Sequence, residues 1–304
     1  QRMLKVDPNS APLVADAMAQ DEILRAMFPA SLYGELDDVE EHIIDDTTVS
    51  LDVDGWVTND KYQYKGYPAI RIRWRMGDTT PAPYADLTAR VPEWASTSLG
   101  KGVAHSLTEF VGVPLQHFTE YYPNGERTAY KQTVKASRIW DPRDPAQDAD
   151  DAATWLWSDN AALVCLDHQR HATGLRLPLD WIMPEIETWK AAADICDESM
   201  PLATGGEIAR YRAWGAYSYD ERPGDVQSRI LATCNGRLLF GPNGGIGLSV
   251  GVWTQPTVEL DDDAIVDYDI TSGAEAPDAA NVLTASYVEP ALGFLESDAE
   301  PWVD

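Results

Sequence analysis

Arg138-Ile-Trp-Asp-Pro-Arg143, followed by Thr154-Trp-Leu-Trp-Ser-Asp-Asn-Ala-Ala-Leu-Val-Cys-Leu166, is the stretch whose reading decides the fold. It reads as the end of a strand, an acidic loop, and a short strand running into a capped helix. Upstream of it the apolar residues mostly recur with a period of two. Downstream, helical and strand patterns are mixed. The stretch is therefore a junction between a β half and an α+β half.

Three helices are predicted beyond the junction. The first runs from about Ser158 to His171, with Ser158 or Asp159 as its cap and Gly174 past its end. The second opens at Pro184, and its Ile186, Trp189, Ala193 and Cys196 form one apolar stripe. The third spans about Pro223 to Asn235, with Val226, Ile230 and Cys234 on one face and Gly236 at its end. A strand over Ile208–Tyr217 precedes it. A hairpin, Arg237–Phe240 and Ile246–Trp253, turns across Gly241-Pro-Asn-Gly-Gly245 and follows it. Strands at Ala264–Ile270 and Asn281–Val288 complete this half.

Towards the N-terminus, Ser10 and Pro12 suit a helix start, and Leu13, Val14, Ala17, Met18, Ile23, Leu24, Met27 and Phe28 continue a helical pattern. The acidic run from Glu35 to Asp46 reads as a solvated link. From Thr47 the period is two. In Ala69-Ile-Arg-Ile-Arg-Trp-Arg75 the three arginines share one face and Ile70, Ile72 and Trp74 the other. That arginine face grips a partner or, in a chain this acidic, pairs with nearby carboxylates, and the second reading is favoured. A short helix within Pro81–Arg90, a strand at Val103–Phe110, a turn at Pro123-Asn-Gly125 and a strand at Ala129–Trp140 follow. The expected class is α+β and β-rich. The expected order is a helical arm over 1–46, a β-barrel or sandwich over 47–140, an α+β domain over 141–257 and a β-rich extension over 258–304.

The 304 residues carry 50 acidic against 23 basic side chains, a net charge of -27. So acidic a surface argues against nucleic-acid binding, which depends on Lys and Arg neutralising phosphates. No apolar run reaches the roughly 20 residues of a membrane span. The first residue is Gln1, which fits a longer or processed chain. Cys165, Cys196 and Cys234 form no C-x-x-C pair and lie at apolar helix positions, so buried free thiols are expected.

The familiar catalytic signatures are absent: no G-x-S-x-G, no H-E-x-x-H and no phosphate-binding loop. Asp144, Asp148, Asp150 and Asp151 invite comparison with a calcium loop but lack its spacing and closing glutamate. His168 and His171, with Asp167, have helical spacing for a metal, yet no third ligand is evident. Exposed polar residues on a last helical turn are the simpler reading. The 11 tryptophans and 13 tyrosines among many carboxylates have the ingredients of a sugar-binding or glycosidase cleft. Trp74, Trp140, Trp189 and Trp253 nevertheless fall at core-facing positions. No catalytic residue, cofactor or metal is expected.

Six strings in order resemble the central tail-tip proteins (host-specificity, or tail hub, proteins) of long-tailed bacteriophages and gene transfer agents. Asp141-Pro142-Arg143 is similar to that family's strand exit. Trp157-Ser158-Asp159-Asn160 and the helix start after it are similar to the next motif. Ala192–Glu198, Glu207–Arg212 (with Arg210 and Tyr211), Leu231–Arg237 and Asn281–Pro290 follow in the family's order. Ala161 departs from the family's usual proline, and Ile208-Ala209 loosen its arginine-rich strand. The resemblance implies tail-tube-like β hub domains and a homotrimer at the tip of the virion. It implies docking on the distal tail and tail tube proteins and contact with tape measure and fibre proteins. The chain would be assembled in the host cytoplasm and carry no enzyme activity. Under that reading Asp141 and Arg143 fix the strand exit. Acidic groups of Asp144–Asp151 or Asp261–Asp263 line a DNA channel that passes the duplex without binding it. The rival readings are a secreted carbohydrate-binding or glycoside-hydrolase module, and an acidic domain of a cell-surface protein.

Overall fold

A computed structural model of the chain describes residues 2–5, 21–27, 36–90, 97, 99–124, 128–201, 206–253, 255, 282–284, 286–289, 295–298 and 302–303. In chain order the elements of the first half are β1 (Arg2–Lys5), β2 (Asp21–Met27), β3 (Asp38–Ile44), β4 (Thr47–Val49), β5 (Gln63–Tyr64), β6 (Tyr67–Pro68), β7 (Ile70–Met76), α1 (Ala85–Arg90), β8 (Ala104–Phe110), α2 (Phe118–Tyr121) and β9 (Tyr130–Lys135). After these come β10 (Arg138–Ile139), β11 (Leu156–Trp157), α3 (Ala161–Arg170), α4 (Ile186–Cys196), β12 (Ser199–Pro201), β13 (Glu207–Ala209), α5 (Pro223–Thr233), β14 (Arg237–Phe240) and β15 (Ile246–Ser249). The fold mixes helix and strand, with strand in excess.

Two antiparallel sheets build the first half. One has the order β1-β2-β8-β7 and the other β4-β3-β9. Side chains of both meet in one core, where Ile44 and Tyr130 pack with Ile70, Ile72 and Phe110. The Trp74 indole donates to the Tyr130 hydroxyl at 2.8 Å and ties the sheets together. Strand β8 is buried at every position, polar ones included, because it is central in its sheet and covered on both faces. Small, open sheets make up the described residues, and none of them closes into a barrel.

The helical pattern expected at Ile23, Leu24 and Met27 gives way to a strand. Strand β2 pairs with the central β8, Ile23 against Phe110 and Met27 against Ser106. Ladder hydrogen bonds to a buried strand outweigh a helical spacing of a few apolar residues. The acidic run likewise is no link: Asp38–Ile44 is β3, paired on both sides, with Ile44 buried at its end. Its acidic side chains stay near solvent while the backbone is satisfied in the ladder. The expected helix at Ser10–Met18 and the strand at Ala264–Ile270 lie outside the described residues.

The arginine strand behaves as its alternation predicts. Ile70 and Ile72 are buried in the core, and Arg71 and Arg73 approach Glu109 at 3.7 and 2.9 Å on the other face. Glu109 stands directly opposite Arg71 in the ladder, so the pairing follows from register. Arg75 stacks over the Tyr84 ring, 3.8 Å from its centre. The Asp54-Gly55 turn packs against this strand, its carbonyls accepting from the Arg71 side chain and the Ile72 N–H. Gly55 has φ +85°, and a Cβ there would run into the Ile72 carbonyl, so only glycine fits.

The second core joins α3, α4, Cys234 and the β14–β15 hairpin around fully buried Trp189, with Trp140 at its margin. All three cysteines are free and buried. Burial pushes the Cys165 thiol up to about 12. The helices stand close to their expected places, and the hairpin pairs Arg237 to Phe240 against Ser249 to Ile246, its second strand ending at Ser249 rather than at the expected Trp253. The long strand expected over Ile208–Tyr217 shortens to Glu207–Ala209. Beyond it, side-chain anchors replace a ladder, and Gly215 has positive φ.

Trp253–Asp304 forms a separate compact unit. In it β16 (Val282–Leu283) pairs with β19 (Trp302–Val303), and β17 (Ser286–Glu289) pairs with β18 (Leu295–Asp298). Trp253, expected in a core, is 77 % exposed.

Candidate functional site

The junction is built as a knot of polar contacts around the start of α3. Strands β10 and β11 pair antiparallel, Arg138 opposite Trp157, and bring the two quoted segments side by side. The loop between them is held by its own carboxylates. Asp144 accepts from the Ala146 N–H, Asp148 from Asp150, and Asp151 from Ala153. These are Asx turns, which use the carboxylates on the backbone rather than on a cation. Among the described residues no group of three or more His, Cys, Asp and Glu side chains is placed to hold a metal ion.

Asp141 and Arg143 pair just past the end of β10. Arg143 Nη2 meets Asp141 Oδ2 at 2.8 Å, and Asp141 Oδ1 also accepts from the Arg143 backbone N–H at 2.9 Å. Arg143 then reaches across to the end of α4, to Asp194 at 3.0 Å and Asp197 at 2.9 Å. One guanidinium thus joins three carboxylates, the fork geometry for which arginine is suited. Its pKa is raised, chiefly by the hydrogen bond with Asp141.

The helix cap is Asn160, not Ser158 or Asp159. Asn160 Oδ1 accepts from the N–H groups of Ala162 and Leu163, at 3.0 and 3.2 Å. Asparagine ranks with aspartate and serine as a cap, so the run Ser158-Asp159-Asn160 offers three candidates in a row. Ser158 instead accepts from the Asn160 N–H. Asp159 points the other way, pairing with Arg212 and accepting from the Trp214 indole at 3.0 Å.

The remaining marker residues close the ring. Asn160 and Arg212 form an isolated β-bridge. Arg210 pairs with Glu198 at 2.7 Å just past α4, and the Tyr211 hydroxyl donates to the Gly251 carbonyl. Pro142 lies in the turn between Asp141 and Arg143, half-buried. The Trp157 ring lies under Lys135 Nζ at 5.3 Å and links the junction to β9. Asp194, Asp197 and Arg212 carry no local sequence signal, since their partners lie more than 50 residues away.

His168 departs from the expected exposed turn. It is 3 % exposed and hydrogen-bonded through Nδ1 to Gln227 Oε1 at 2.9 Å. Gln169 donates to the same oxygen at 2.7 Å, and Gln227 in turn donates to Cys165 Sγ. This is a buried polar network bridging α3 and α5 rather than a ligand set.

No protein-family model matches the sequence, and neither does any curated protein. Among the described residues no helix is long and apolar enough to cross a membrane.

Proposed function

We propose that this chain is a structural hub protein of a phage-type tail tip or baseplate. In this reading it is a trimer docking on tail tube and distal tail proteins, without enzyme activity of its own. Its two-sheet body serves as a tail-tube-like hub domain, and the virion is its place of action. One observation carries the reading. Four of the family-like strings, spread over some seventy residues of chain, converge in space on one set of contacts: Arg143 with Asp194 and Asp197, Asn160 with Ala193, Arg210 with Glu198, Asp159 with Arg212. These contacts tie backbone segments together and present no nucleophile beside a base, as a scaffold requires and an active site does not.

The net charge of -27 supports the same reading. A channel wall that passes DNA must repel it. Asp150, in the junction loop, keeps 80 % of its side chain exposed even while paired with Arg170, and this loop is assigned to the axial lumen. Light scattering on the purified chain should return three copies of the 33.6 kDa protomer, or a mixed assembly when tail partners are added. A map of the intact particle should then place the loop on the axis. A strict monomer that binds no tail protein, or a neutral or basic lumen, overturns the proposal.

A further inference from the structure

A second feature of the α3 end is a cavity of about 330 Å³ lined by Trp140, Trp155, Leu166, Asp167, Arg170 and His171. Its size lies at the small end of the roughly 300–1,000 Å³ typical of ligand pockets. The walls are fixed in place. The Trp155 indole donates to the Asp148 carbonyl at 2.6 Å, which pins that ring to the acidic loop. Arg170 donates to the Ala149 carbonyl at 2.9 Å and lies over the Trp140 ring. His171 Nδ1 is paired with Thr173 at 2.8 Å, which fixes its ring.

Two polar groups in this wall stand apart. Among the described residues neither the Asp167 carboxylate nor the Trp140 indole N–H has a hydrogen-bond partner. Burial raises the Asp167 pKa, while His171 and Arg170 pull it the other way. A carboxylate and an indole N–H not used by other described side chains, in the lining of one small aromatic-walled space, suit a particular kind of ligand. It must both donate and accept, and it must offer an apolar face to an indole. A simple cation fails: Arg170 repels it, and the indole N–H stays unanswered. A hydrocarbon fails because the carboxylate then loses its remaining water.

We propose that this cavity is a binding site for a single pyranose ring. One hydroxyl donates to Asp167, another accepts from Trp140 Nε1 or Arg170, and the C–H face of the ring stacks on Trp155. The site does not depend on the tail-tip reading. Glycan binding is measured on the isolated chain and assembly on the particle, so either can fail alone.

The test is saturation-transfer NMR on the whole chain. The probes are the methyl glycosides of glucose, galactose, mannose and N-acetylglucosamine, with tetramethylammonium as the cationic control. Transfer to the ring protons of at least one glycoside is expected. In unaltered protein the Trp140 indole N–H resonance should shift on titration, and more than that of Trp155, whose N–H is already bonded. Asp167→Asn and Trp155→Leu should each weaken binding by at least about tenfold, in line with the loss of a charged hydrogen bond or a stacking face. The Asp167→Asn protein should melt no lower than its parent. No transfer from any glycoside, a Trp140 resonance that does not move, or binding of tetramethylammonium in place of sugars overturns the proposal.

Discussion

Asn160 is bound to Ala193: its side-chain amide donates to the Ala193 carbonyl at 2.9 Å, while its own side-chain oxygen caps α3. One buried side chain, 2 % exposed, therefore satisfies the start of one helix and a carbonyl near the end of the next. Asn160→Ala removes a cap worth about 1 kcal/mol and a buried hydrogen bond worth about another 1 kcal/mol. A loss of roughly 2 kcal/mol in urea denaturation is expected. Asn160→Ser should keep a cap and lose only the Ala193 bond, falling between the parent and Asn160→Ala. Equal losses for both variants would mean that the cap contributes nothing.

Arg143 makes a different kind of link, between the strand exit and α4. Asp194 and Asp197 are 71 % and 48 % exposed at their side chains, so those pairs are screened, whereas Asp141 at 20 % is sheltered. Arg143→Lys should cost about 1 kcal/mol, since a point charge cannot bridge three carboxylates at once. Half of that loss or more should persist in 1 M salt, because the sheltered pair with Asp141 dominates. A loss that vanishes in salt would show that the exposed pairs carry the link.

Much of this junction was legible because its signals are local. Asp141 and Arg143 stood out through the family resemblance, and the helices announce themselves by Pro184, Pro223, Gly174 and an apolar stripe. Strand β7 was legible from strict alternation. What escaped the sequence is what depends on partners far away. Ile23 and Met27 are equally good on a helix and on a strand, and only the presence of β8 beside them settles which. The cap choice among Ser158, Asp159 and Asn160 turns on Arg212, some fifty residues on. His168 was read as exposed because nothing nearby announces Gln227. The aromatic cavity went unread for the same reason. Trp140 looks like core from its position, and its place in the cavity lining depends on Trp155 and the end of α3 folding beside it.

Gly55 should tolerate no side chain. Its φ of +85° strains any other residue, and the Ile72 carbonyl occupies the space where a Cβ would go. The Ile72 N–H also donates to the Gly55 carbonyl at 2.7 Å, so shifting the turn breaks a ladder contact. Gly55→Ala should cost about 1–3 kcal/mol in thermal or urea denaturation. A neutral result would show that the turn relaxes freely away from β7.

The histidines set an acid limit on stability. Burial lowers the pKa of His168 below its ordinary 6.5, and that of His42 likewise. Gln227 Oε1 can only accept, so neutral His168 carries its proton on Nδ1, and its buried Nε2 has no partner among the described residues. A second proton there would have no acceptor. In the unfolded chain both rings titrate near 6.5, so below that pH the unfolded state binds more protons than the folded one. Stability is therefore full above pH 6.5 and falls as the pH drops from 6.5 towards the lowered folded values. Asp167 works in the opposite sense: its raised pKa costs stability as the pH climbs above 3.8. The two effects separate by substitution. His168→Gln should flatten the loss of melting temperature between pH 7 and about 5.5, and Asp167→Asn should raise the melting temperature at pH 7. A profile that His168→Gln leaves unchanged would mean that the ring takes up its second proton at no cost, which its burial beside Gln227 does not allow.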